Sequence, residues 1–70
     1  MPTLPGVNHL DAVRALRPAG FWIARQSKHI VMTDGSRIVE IPRQNPVHAV
    51  TMAKIVRDAG LTIETFRKLL

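Results

Sequence analysis

Three imidazoles are the side chains here best suited to moving a proton near neutral pH: His9, His29 and His48. His29 sits among cations, with Lys28 beside it, Arg25 just before it and Arg43 further along. Groups of this kind bind phosphate oxygens and stabilise negative charge that builds up in a transition state. For any single one of them, a solvated surface position is an equally good reading. Trp22 adds a flat ring on which a base can stack, a contact worth about 1 to 3 kcal/mol in single-strand binding. A lone Trp more often packs in a core. The three histidines lie about twenty residues apart with no local carboxylate partners, a spacing that suits no metal site, so neither a metal nor another cofactor is expected. Ser27 and His29 lack the third member and the shaped pocket of a catalytic triad. Met32 and Met52 fall on core stripes and need no special role.

These groups must be positioned by a small scaffold. The chain has 70 residues, 46% of them hydrophobic, which is enough for a single core and predicts one domain over residues 1–70. With no cysteine there are no disulfides and no thiolate ligands, so a reducing compartment is expected and packing alone must supply stability. No apolar run approaches the ~18 residues of a membrane span. Met1 to Gly6 lacks the basic and apolar regions of a signal peptide. A cytoplasmic protein with no membrane contact is therefore expected. Ten Lys and Arg against five Asp and Glu give a net charge of +5, which favours a polyanion without choosing among nucleic acid, anionic lipid and an acidic protein.

Periodicity supplies the elements. After an extended lead-in over Met1 to Val7, Asn8 is a candidate N-cap, and Leu10, Val13 and Leu16 form the apolar stripe of a short helix stopped by Pro18 and Gly20. Residues 21–26, 28–33 and 37–41 read as strands. Asp34-Gly35 is the favoured pair for a two-residue type I′ turn. That turn would pair Thr33 with Ser36, Val31 with Ile38, Ile30 with Val39 and His29 with Glu40. Parity then sends Ile30, Met32, Val39 and Ile41 to the core face, with Lys28 and Arg37 at its ends, and His29, Val31, Ile38 and Glu40 to the open one. A tight connection at Gln26-Ser27 puts Phe21 and Ile23 on the core face and Trp22 and Ala24 beside His29 and Val31. Glu40, facing His29, would orient the imidazole and favour its protonated form. Met52, Ile55, Val56 and Ala59 mark a second helix ended by Gly60, whose Thr51, Lys54, Arg57 and Asp58 face solvent. Thr62 caps a last helix that docks Ile63, Phe66, Leu69 and Leu70.

The resulting fold class is α+β, in the order α-β-β-β-α: a three-stranded antiparallel sheet with helices on one face, like the double-stranded-RNA-binding domain. The fragments Ala19-Gly20-Phe21, Arg25-Gln26-Ser27-Lys28-His29, Ile41-Pro42-Arg43, Asn45-Pro46, Thr51-Met52 and Arg57-Asp58-Ala59-Gly60-Leu61 follow one another in order. Together, from about Leu10 to Leu70, they resemble the HicA (YcfA-like) family of messenger-RNA interferase toxins. The resemblance implies the toxin of a type II toxin-antitoxin pair, a ribonuclease that cleaves mRNA without a metal and is held inactive by a HicB-like antitoxin. It assigns the catalytic role to His29. In the family a Gly-Ser pair precedes that histidine, whereas here the stretch is Gln26-Ser27-Lys28-His29, and Gln44 stands where many relatives have histidine.

Cleavage through the RNA's own 2′-hydroxyl needs a base for that proton, an acid for the leaving 5′-oxygen and positive charge around the phosphorus. His29 would serve as acid or base, Arg25, Lys28 and Arg43 as phosphate contacts, Trp22 as a base platform and Glu40 as the orienting group. Two rival readings are a noncatalytic RNA-binding module and a protein-interaction module of the same fold. Binding-only domains present a lysine cluster at the start of the last long helix. Here only Lys54 and Arg57 are available.

Overall fold

The computed structural model describes residues 6–70; the lead-in expected before Gly6 lies outside that range. Helix α1 spans His9–Leu16, strands β1, β2 and β3 span Trp22–Gln26, His29–Thr33 and Ile38–Pro42, and helices α2 and α3 span Ala49–Asp58 and Ile63–Leu69. The sheet is antiparallel in the order β1-β2-β3. The expected α+β architecture is thus the one observed.

Local chemistry sets the helix ends. The Asn8 side chain accepts from Leu10 N–H at the start of α1, and Thr62 accepts from Thr65 N–H at the start of α3, each satisfying one of the free donors of a first turn. Gly60, at φ +75°, ends α2 in a left-handed conformation. Its N–H donates to Arg57 and that of Leu61 to Val56, so two carbonyls of the last turn are satisfied.

One face of the sheet is packed. Ile30, Met32, Val39 and Ile41 are buried with Phe21, with Ala12, Val13, Ala15 and Leu16 of α1, with Met52, Ile55 and Val56 of α2, and with Phe66 of α3. In α1 the expected stripe holds at Val13 and Leu16 and fails at Leu10. Leu10 is half exposed, and Ala12 and Ala15 take the inward places beside Val13 and Leu16. Leu70 likewise stays half exposed, while Phe66 fills the core.

The hairpin registers differ from the expected ones. The β2–β3 connection uses four residues, 34–37, so Thr33 pairs with Ile38, Val31 with Glu40 and His29 with Pro42. A type I′ turn would need positive φ at Asp34, which costs a non-glycine residue strain; among the described residues only glycines have positive φ. Asp34 instead turns its carboxylate onto the N–H groups of Ser36 and Arg37, at 2.9 and 2.7 Å, and Gly35 alone adopts φ +99°. The Thr33 hydroxyl donates to the Arg37 carbonyl and accepts from Gly35 N–H. The shift is by two residues, so every β2 and β3 side chain keeps its expected face.

Candidate active site

His29 is the first residue of β2, exposed on the face of the sheet opposite the buried core side chains. Its face is fixed by alternation with Ile30, whose side chain is 3% exposed and anchored in the core. The other two histidines have different settings. His9 N–H and Nδ1–H both donate to Asn45 Oδ1, at 3.2 and 2.7 Å, tying the start of α1 to the loop before α2. His48 occupies the N-cap of α2 and makes no side-chain cap bond.

The β1–β2 connection puts cations at the His29 end of the sheet, although none of Arg25, Lys28 and Arg43 lines the groove that His29 lines. It turns at Ser27-Lys28, with Ser27 N–H donating to the His29 carbonyl at 3.1 Å. Gln-Ser-Lys has no glycine to hold such a turn, and the restraint comes from the end of β3. Arg43 Nε donates to the Ser27 carbonyl at 2.9 Å and its Nη2 to Gln26 Oε1 at 3.5 Å. Arg43 and Lys28 therefore lie at the same end of the sheet as His29. A bulge brings the third cation. Ile23 pairs with Met32 but Arg25 pairs with Val31, leaving Ala24 as the extra residue. Without it Arg25 would share the core-facing parity of Ile23; with it Arg25 stands on the open face opposite Val31.

Val31 thus has Arg25 across one strand boundary and Glu40 across the other. His29, two residues before Val31 on the same face, is diagonal to both. The expected direct pairing of His29 with Glu40 is corrected: His29 faces Pro42 and Glu40 faces Val31, so the two are diagonal neighbours with backbones about 7 to 8 Å apart, and the described residues show no hydrogen bond or ion pair between them. The ion pair found among the described residues is Arg14 with Asp11, on α1.

Trp22 is also placed differently from expectation. It pairs with Thr33, at the far end of the sheet from His29 and roughly 13 Å away at the usual rise per residue. It is 51% exposed, and its ring edge borders Gly35, at whose position a Cβ would lie 3.6 Å from Trp22 Cη2. In the same cross-strand row Ile38 is 67% exposed. This end of the face is apolar, and the His29 end is cationic.

Helix α2 supplies a wall that sequence reasoning missed. His29, Glu40, Pro42 and Ile38 from the sheet and Thr51, Lys54, Ile55 and Asp58 from α2 line one open groove of about 440 Å³. Lys54 is exposed as the helical pattern expects and Asp58 is half-buried, and nothing local in a helix tells which of its flanks borders a sheet edge. Among the described residues no group of three or more His, Asp or Glu side chains converges as a metal site requires, and no helix is long and apolar enough to cross a membrane. Comparison with family models, curated proteins and solved structures finds no match to this chain.

Proposed function

We propose that this chain is a HicA-like messenger-RNA interferase, a metal-independent endoribonuclease acting in the cytoplasm as the toxin of a type II toxin-antitoxin pair. The observation that carries the reading is an exposed imidazole lining a groove, at the same end of the sheet as Arg25, Lys28 and Arg43. An imidazole can transfer the proton that 2′-hydroxyl attack on phosphorus requires, and guanidinium and ammonium groups hold the phosphate and offset its growing charge. Arg43 keeps its Nε on the Ser27 carbonyl, so its free guanidinium edge is what a phosphate would meet.

The substrate is messenger RNA, its strand running from the scissile phosphate at His29 toward a base stacked on Trp22. Val31 and Ile38 form an apolar strip between those points, which a HicB-like antitoxin would cover, masking His29. The exposure of Trp22 and Ile38 also favours a second reading, a noncatalytic RNA-binding or protein-interaction module. One experiment separates the two: induced expression of wild type and His29→Ala, following growth and transcript integrity. The nuclease reading expects growth arrest and transcript loss with wild type only, at equal amounts of folded protein. Intact transcripts under wild-type induction would favour the binding module.

A further inference from the structure

We propose that Glu40 is the second proton-transfer group of this site, acting as general base while His29 acts as general acid. The inference rests on the ribonuclease reading and adds to it the division of labour between the two residues. It begins from the corrected register. Had Glu40 faced His29 directly, the carboxylate would have been an orienting partner with no room between the two. The observed diagonal sets them apart on one face with both side chains lining the same groove. A phosphodiester has its attacking and leaving oxygens on opposite sides of phosphorus, so an acid and a base must flank it from two directions. Diagonal placement across the β2–β3 boundary provides such a gap; direct pairing would close it.

The groups facing this gap fit the roles. An ionised carboxylate only accepts protons, whereas an imidazolium donates from both ring nitrogens, which makes Glu40 the base and His29 the acid. Arg25 flanks Val31 on the other side, diagonal to His29, where it can hold a non-bridging phosphate oxygen. From α2, Lys54 and Asp58 face the groove. Lys54 offsets phosphate charge against the two carboxylates of Glu40 and Asp58, the latter in the last turn of α2. In the step, Glu40 takes the 2′-hydroxyl proton, the 2′-oxygen forms a bond to phosphorus, the bond from phosphorus to the 5′-oxygen breaks, and His29 delivers its proton to that oxygen. The products are a 2′,3′-cyclic phosphate and a 5′-hydroxyl.

The test uses the full chain, an RNA oligonucleotide whose cleavage position has been mapped with wild type, and the same oligonucleotide with a bridging 5′-sulfur at that bond. A thiolate leaves without a proton, so it bypasses the acid and not the base. Glu40→Gln is expected to slow both substrates by about 100-fold or more. His29→Ala should slow the natural oligonucleotide to a similar degree and come within about tenfold of wild type on the sulfur-bridged one. Glu40→Asp, which keeps the carboxylate, should retain more activity than Glu40→Gln. Glu40 is exposed, and equal thermal midpoints verify that folding is kept. Wild-type rates for Glu40→Gln, or its rescue by the sulfur bridge, would overturn the role of Glu40 while His29→Ala still identified a ribonuclease. Failure of wild type to cleave either substrate would overturn both.

Discussion

The two hairpins of the meander share β2 and are held by opposite means. At the β2–β3 turn everything is local: the Asp34 carboxylate, the Thr33 hydroxyl and a left-handed Gly35 satisfy the backbone within five residues, 33–37. At the β1–β2 turn the local residues contribute little, and Arg43 reaches in from the end of β3 to hold it. The first arrangement uses its polar groups up. The second leaves Lys28, the His29 imidazole and one edge of Arg43 exposed, with a bulge that puts Arg25 on the open face opposite Val31. The difference teaches that a turn built for stability and a turn built to present charge can be told apart by where their hydrogen bonds come from.

The contrast can be broken at its common support. Met32 pairs with both neighbouring strands and is fully buried, so Met32→Ala should cost about 2 to 5 kcal/mol, comparable with the whole stability of so small a domain, and abolish both hairpins together in chemical denaturation. Gly35→Ala touches one hairpin alone. The added Cβ meets only Trp22 at ordinary contact distance, so the cost is conformational, about 1 to 2 kcal/mol at positive φ, with RNA cleavage per folded molecule unchanged. Arg43→Ala should show the reverse balance: about 1 kcal/mol of stability lost with the bond to the Ser27 carbonyl, and a larger proportional loss of cleavage, which Arg43→Lys does not restore because a point charge cannot replace the guanidinium fork.

The smallest effect concerns pH. The backbone N–H groups of Arg37 and then Ser36 hold the Asp34 carboxyl below its ordinary value of 3.8. Because the folded value is the lower one, the unfolded chain binds its proton first as pH falls. The contribution of Asp34 is therefore complete above the ordinary value and lost as pH drops through the folded one. Asp34→Asn should flatten that part of the acid denaturation curve and leave stability at neutral pH only slightly lower.

Much of the scaffold was legible because its determinants are local. Asn8, Thr62 and Gly60 act where their chemistry indicates, and the period-two pattern assigned both faces of β2 and β3 correctly. Leu10 misled because a three-residue spacing of large side chains ignores alanines, and α1 buries Ala12 and Ala15 beside Val13 and Leu16. Asp34-Gly35 misled because the same dipeptide serves two turns, and the carboxylate's two N–H partners favour the longer one. The bulge at Ala24, the reach of Arg43 and the Lys54 wall depend on residues distant in sequence, and no local pattern encodes them.

The most direct test of the central claim is the rate at which purified protein cleaves a single-stranded RNA, wild type against His29→Ala, with thermal midpoints measured alongside. The account predicts a loss of about 100-fold or more with the midpoint nearly unchanged, since the imidazole is exposed and outside the core. Equal cleavage by the two proteins would contradict it.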